Sequence, residues 1–497
     1  MGQYSTVNPL SAVLPTWVVS DEDRQRIAAY QRYEDMYWND PAGYEIIQRG
    51  TEGGKLYVPS AMTIIESVNR YLAKGWTFSP DPMLGTPADR EAMSAWLTRL
   101  FRREKVHAKF LTQKRYGLIR GDAVWYLVGD PNKPQGRRLR VLEVDPASYF
   151  PIKDPADEDR TVGVHLVEQT LAMDEKTVII KRQTYRKLEN GQISYDLSWW
   201  QLGAWDDRNQ DPKDLKLADD PPSPPASYVL PPAITQLPVY HVQNQRVPGA
   251  TFGSSEMRGM EVLAAAVSQT ISDEELALAL AGLGLYVTTS GPPVDKDGNE
   301  TDWIIGPGMV AEIDEDSTWQ RVKGIDDVTP SLDHAKFLEA KMREARGVPD
   351  VALGNVDVQV AESGIALALK MAPILSANAE KEVEMLGTYD QLLYDLVTMW
   401  FPAYEGISFN GAVPVSVIED PLPVNRAAVL LEITTLVDKG LITLEYARQL
   451  LSERLGMEFP AEMGEAVVDE MTALAQARNA DPFLDRVGRE LEGVTGE

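Results

Sequence analysis

The sequence predicts an α+β protein made of several subdomains. Helical periodicity dominates residues 20–117 and much of the chain after Glu256. A block rich in β-branched and aromatic residues fills 122–202, and an acidic, proline-rich stretch at 205–238 separates the two regimes. At 497 residues the chain is long for a single compact core.

The elements follow in order. Ser20 before "DEDRQRIAAYQRYEDMYW" is an N-cap with acids in the first turn, so a helix begins there. "SAMTIIESVNRYLAKG" predicts a second helix ending at Gly75. "PADREAMSAWLTRLFRREKVHAKFLTQKRYG" predicts a third, with Trp96, Leu100, Val106 and Phe110 sharing much of one face. From Asp122 to Leu202, five strand-like runs read as one antiparallel meander, with Asn190-Gly191 as a two-residue hairpin turn. Proline in "DDPPSPPASYVLPPAITQLP" predicts an extended connector without regular structure.

Met257, Met260, Ala264, Val267 and Ile271 step by three and four, a heptad-like seam on a helix over Glu256–Leu283. That helix would be roughly 42 Å long at about 1.5 Å per residue. A small β unit follows: "LYVTTSG" and "DWIIGPG" flank the hairpin loop "PPVDKDGNET", and "MVAEID" and "WQRVKG" supply further strands. Pro330 opens a second helix, "SLDHAKFLEAKMREARG". After a polar loop comes an apolar, buried helix kinked at Pro373. "ISFNG" and "VPVSVIED" are expected strands, and the rest is helical, punctuated by Gly440 and Gly456.

The composition, 44% hydrophobic and 25% charged, is globular. The absence of cysteine removes disulfides and thiolate chemistry. A net charge of −27 makes a DNA-wrapping protein unexpected, but not one past which DNA slides without adhering. Against that background the run Arg99–Arg140 holds twelve bases and three acids. It reads first as a surface for an acidic neighbour in an oligomer and second as a nucleic-acid patch. Neither a membrane span nor a secretory leader is expected.

Enzyme motifs fail on inspection. "GTEGGKL" has the wrong glycine spacing for a phosphate loop, and Leu56 stands where Ser or Thr would hold magnesium. "DKDGNETD" has Gly298 at the fourth position, where a calcium loop needs it at the sixth. His107, His165, His241 and His334 lie far apart and suggest structural or surface roles. No catalytic residue, metal or cofactor is expected.

Several stretches resemble the portal proteins of tailed bacteriophages, and in the family's order. They are "QRIAAYQRYEDMYWND", "YVPSAMTIIESVNRYLAKGW", "YHVQNQRVPGATFGSSEMRGMEVLAAAVSQTISDEEL", "ARGVPDVALGNVDVQVAESGIALALKMAPIL" and "VIEDPLPVNRAAVLLEITTLVDKGLITLEYARQLL". The resemblance implies a portal fold: an α/β wing over 1–255, a first stem helix over 256–284, a β-rich clip over 285–328 and a second stem helix over 329–346. A tunnel loop over 347–364, a kinked wing helix with wing strands over 365–423 and a helical crown over 424–497 would follow. It also implies a homo-oligomeric ring, usually of twelve subunits, at one capsid vertex of the virion, assembled in the bacterial cytoplasm. Double-stranded DNA would pass along the axis. Terminase large subunit, head–tail adaptor, major capsid and scaffolding proteins would be the partners. Asn355, Asp357 and Gln359 of the tunnel loop would face DNA, with Lys336, Lys341, Arg343 and Arg346 as channel-side bases. Lys296, Asp297 and Asn299 would meet the adaptor. The alternatives are another virion structural protein, of baseplate or head-completion type, and an acidic hydrolase. The heptad-like helix with its alanine cluster, which asks for neighbouring helices, disfavours the hydrolase.

Overall fold

The computed structural model describes residues 20–48, 54–171, 177–204, 216–219, 221–283, 285–294, 297–301, 313, 315–322, 328–354, 364–419 and 426–455. The chain divides into two compact units, one ending at Pro421 and one beginning at Leu422.

In the first unit, α1 (Asp21–Tyr37) starts where its cap predicts: Ser20 Oγ accepts the Asp23 amide at 3.1 Å. Helix α2 (Ser60–Arg70) stops short of Gly75. Lys114 reaches in and donates to the carbonyls of Asn69, Leu72 and Ala73 at 3.0, 3.1 and 2.9 Å. One ammonium thus caps the helix end and the turn beyond it, and burial lowers its pKa to about 8. Strand β1 (Trp76–Pro80), which the sequence pattern did not reveal, comes next.

The single helix expected over 87–117 is two, α3 (Pro87–Glu104) and α4 (Val106–Arg120). Lys105 breaks it with a left-handed φ of 53°. Both Val106 and Phe110 are fully buried beyond the break.

The strands over 122–202 form two sheets, not one meander. β2 (Asp122–Gly129) and β3 (Leu139–Val144) pair in the order β10-β2-β3 with β10 (Val239–Gln243), which lies beyond the proline-rich stretch. The true meander is β4 (Tyr149–Asp154), β5 (Asp157–Leu171), β6 (Thr177–Lys187) and β7 (Ile193–Ala204). The short strands β8 (Lys216–Leu217) and β9 (Ala226–Val229) both pair with β7. The proline-rich stretch is therefore not wholly irregular, because an edge strand makes ladder bonds on one side only and tolerates flanking proline. The β6–β7 turn has only Gly191 left-handed, at φ 81°; the tight turn expected for Asn-Gly would need positive φ at both positions.

Aromatic packing joins the layers. Trp76 stacks on Tyr389 with ring centroids 4.3 Å apart and meets Trp125 edge-on at 5.3 Å. β1 pairs with β13 (Pro414–Ile418). The strand expected at "ISFNG" is instead a turn, with Asn410 and Gly411 left-handed.

Later in the same unit come α5 (Glu261–Leu283), β11 (Leu285–Thr288), β12 (Trp319–Val322), α6 (Thr329–Ala345) and α7 (Gly364–Asp395). Helix α7 continues into a π-helical stretch, Leu396–Glu405, whose end Gly406 caps with a left-handed φ. Among the described residues no helix is long and apolar enough to cross a membrane. In the second unit, α8 (Arg426–Asp438) ends at Gly440, as expected, and α9 (Leu444–Leu455) follows, with Thr443 Oγ1 accepting the Tyr446 amide at 3.2 Å. Gly456, the other expected helix end, lies outside the described residues.

Gly121 ends α4 at φ 95°, where a Cβ would sit 2.6 Å from the Gly253 carbonyl oxygen. Replacing Gly121 with Ala should lower stability by about 2 kcal/mol or more, read as an earlier urea midpoint at unchanged slope.

Candidate functional site

The candidate site is the helical hairpin α5–α6 with the elements at its root and tip. α5 was expected to begin at Glu256 but begins at Glu261. Gly259, at φ 85°, interrupts any earlier helix, and Glu256 has another role. Its side chain is 2% exposed, as is that of Lys381 on α7, and the two pair at 2.8 Å. Asn244 Nδ2, just past β10, donates to Glu256 Oε1 at 3.0 Å. Arg346, at the end of α6, lies 3.5 Å from Oε2 and also donates to the Arg258 carbonyl. The Glu256 amide bonds the Leu118 carbonyl of α4 at 2.9 Å. Glu256 thus ties the start of α5 and the end of α6 to the β10 sheet and to α7 through its carboxylate, and to α4 through its amide.

The expected seam turns inward: Met257 and Met260, just before α5, and Ala264 and Val267 on it are buried, and Ile271 is half-buried. Polar positions of α5 hold the chain between α1 and α2. Gln269 bonds both the amide and the carbonyl of Ile47, at 2.7 and 3.1 Å. Ser272 and Ser268 accept the amides of Leu56 and Val58 at 2.9 and 3.1 Å. Val262 and Leu278 of α5, and Leu332 and Phe337 of α6, remain exposed.

At the tip, β11 and β12 pair antiparallel, with Leu285 opposite Val322 and Thr288 opposite Trp319. A bridge between Val294 and Glu300 closes the expected hairpin loop, in which Gly298 is left-handed at φ 82°. Asp297 and Asn299 are exposed on it. Lys296 lies outside the described residues, as do the segment "DWIIGPG" and all of "MVAEID" but Ile313.

The four expected channel bases lie on or just after α6, each beside a carboxylate. Lys336 is 3.6 Å from Asp333, Lys341 is 2.7 Å from Glu344, and Arg343 is 3.4 Å from Asp350. Arg346 is the inward one, at Glu256. Gly347 ends α6: its amide bonds Glu344 and the next amide, of Val348, bonds Arg343, at 3.1 and 3.0 Å. A Cβ on Gly347 would come within 3.5 Å of Pro373, so the chain leaving α6 passes close over that proline. Pro373 lies inside α7 on its exposed side. α7 is not buried all round. Met371, Ile374, Asn378, Lys381 and Met385 form one inward stripe, while Leu369 and Val383 are exposed. Asn355, Asp357 and Gln359 lie outside the described residues.

Much of the basic run Arg99–Arg140 is engaged internally. Lys114 caps α2, and Arg120 is buried between Glu34 and Asp145. Arg103 donates to the Gly136 and Leu139 carbonyls, and Arg138 to the Tyr404 carbonyl at 2.9 Å. His241 Nε2 lies 2.7 Å from the buried Asp122, which also accepts from the Tyr30 hydroxyl and the Gly253 amide. His334 is exposed and stacks on Phe337.

No protein-family model and no curated protein sequence matches the chain. Solved structures of gene transfer agent particles are similar to it at low identity. A chain from the neck of the native particle, solved with C12 symmetry, has a TM-score of 0.41 and 12% identity over 79% of this chain and 89% of its own. One from the neck of the empty particle, with C6 symmetry, scores 0.44 at 12% identity over 80% and 90%. One from the native virion scores 0.40 at 10% identity over 80% and 90%.

Sequence reasoning missed Lys381 and Asn244 as partners of Glu256. No local signal marks them, since the three meet only through tertiary packing.

Two outcomes follow. Lys381→Met leaves Glu256 without its closest cation and should cost about 3–5 kcal/mol in urea unfolding. Asp395, buried on α7, accepts from Tyr240 Oη at 2.8 Å and Gln391 Nε2 at 2.6 Å, and burial raises its carboxyl to about 6. The folded pKa is thus above the unfolded one, so the native state holds the extra proton and stability should fall as pH rises from about 4 to about 6. Asp395→Asn should flatten that slope, as measured by thermal unfolding across the same pH range.

Proposed function

We propose that this chain is the subunit of a portal-type ring: a non-enzymatic virion protein at one capsid vertex, through which double-stranded DNA enters and leaves. The observation that carries the reading is the α5–α6 hairpin. Two long helices are rooted together at Glu256 and tipped by a small antiparallel β unit. They precede a connecting segment and the longest helix among the described residues. This is the element order behind the resemblance to phage portal proteins. Val262, Leu278, Leu332, Phe337, Leu369 and Val383 are exposed on these helices. Apolar side chains exposed along long helices favour packing against further copies, and a heterologous contact that repeats around an axis closes a ring.

In this reading the hairpin is the stem and its tip, with Lys296, Asp297 and Asn299, meets the head–tail adaptor and the terminase large subunit. The segment holding Asn355, Asp357 and Gln359 lies against DNA, and the capsid and scaffolding proteins surround the wing. The pairing of Lys336, Lys341 and Arg343 with acids, in a chain of net charge −27, suits a channel wall that holds phosphates weakly.

The test is mass photometry with electron microscopy of the purified chain, alone and with its scaffold. Rings with an axial hole and a mass near twelve times 55.2 kDa are expected, and a monomer under both conditions would overturn the reading. Val262→Glu should shift rings toward monomers at unchanged melting temperature. Deleting Asn355–Gln359 should leave rings intact while packaged DNA is lost or poorly retained.

A further inference from the structure

A hollow of about 510 Å³ opens on the meander sheet, and strand register explains its chemistry. Arg182, Thr184 and Arg186 alternate along β6 and so share one face. Thr184 lies opposite His165 on β5 and Asp196 on β7, and Asp196 lies opposite Ser227 on β9. Ser198 lies opposite Arg182 on the same face, so two guanidiniums, an imidazole, three hydroxyls and one carboxylate converge.

The groups are held in place. His165 Nδ1 is 2.8 Å from Thr184 Oγ1, and Thr184 is buried. Ser227 donates to Asp196 at 2.6 Å, which holds that carboxylate toward β9. The Arg182 guanidinium lies 5.5 Å from the centre of the Trp200 ring. Burial, with the charge of both arginines behind it, pushes the His165 pKa down to about 4, so the imidazole is neutral near pH 7. Among the described residues Arg186 makes no ion pair. Among the described lining residues two cations stand against one acid, a reversed balance in a chain of net charge −27.

We propose that this hollow is a docking site for an acidic, partly apolar peptide segment of a protein partner, with a carboxylate received by Arg182 and Arg186. Two features favour a peptide over a nucleic acid. The excess is one positive charge in one place, whereas a nucleic-acid backbone needs a basic track, and the rest of the chain repels a polyanion. The rim also carries apolar groups: Pro225 lines the hollow, and Val229, two residues along β9 from Ser227 and so on the same face, is exposed. That strand, β9, pairs only with β7 among the described residues. The inference is independent of the ring.

The experiment is calorimetric titration of the full chain, with Trp200 fluorescence alongside. The probe is the capped pentapeptide Leu-Glu-Asp-Glu-Leu. Its Gln/Asn counterpart, inorganic phosphate and a single-stranded DNA oligonucleotide run in parallel. The acidic peptide should bind and its neutral counterpart should not. Arg186→Ala should weaken binding about tenfold or more, and Arg186→Lys should recover part of it. Arg186 is exposed, so both variants should melt with the parent. Equal binding of acidic and neutral peptides, no binding of either, or unchanged affinity in Arg186→Ala overturns the proposal. Tighter, Arg186-dependent binding of phosphate or the oligonucleotide also overturns it and makes the hollow a phosphate site.

Discussion

A carboxylate that is 2% exposed is costly to bury unless it is paired and hydrogen-bonded, and Glu256 meets that demand with groups from three separate parts of the chain. Lys381, Arg346 and Asn244 each have one geometry in which they reach it. Satisfying Glu256 therefore sets the azimuth of α5, the end of α6 and the height of α7 together. Buried ion pairs contribute little net stability against an apolar replacement, but breaking one is costly. Here the pair acts as a register pin more than as a source of free energy. The backbone follows: Gly121 and Gly253 pass close enough that neither side has room for a Cβ, which brings Ser255 and Glu256 against the end of α4.

The root is rigid and polar, whereas the shaft is half-clothed. α5 buries its seam against the unit and uses Gln269, Ser268 and Ser272 to grip the strap between α1 and α2. Val262 and Leu278 stay exposed on α5, as do Leu332 and Phe337 on α6 and Leu369 and Val383 on α7. A hairpin of this kind satisfies its polar groups internally and leaves apolar area exposed. The acids that flank the α6 bases keep that surface near neutral despite the lysines and arginines on it.

Much of this was readable beforehand. The Ser20 cap, the Pro330 start and the Gly440 stop depend on contacts within a few residues, and each appears where local chemistry puts it, whereas "LYVT" pairs with "WQRV" and not with the expected "DWIIGPG", which lies outside the described residues. Errors cluster where distant contacts overrule local preference. Helix α2 ends early because Lys114 takes its carbonyls. The long helix predicted through Lys105 is broken there, and the chain turns Val106 and Phe110 into the core. "WTFSP" was not expected as a strand because its partner, Pro414–Ile418, is more than three hundred residues away. The basic run looked like a surface because sequence shows charge without burial, and Lys114 and Arg120 are buried.

The sequence by itself determined the α+β class, the order of the two long helices around a small β unit, and the exclusion of thiolate and phosphate-loop chemistry. These follow from periodicity, capping and spacing, which are local and survive without a partner. Only the tertiary structure decided that Glu256 is a core anchor, not the first residue of a helix. Only it separated the strands into two sheets, and only it gathered His165, Arg182, Arg186 and Asp196 into one hollow. The reason is the same in each case: desolvating a charge or pairing a strand is settled by groups far apart in the chain, and no local pattern encodes which of them will meet.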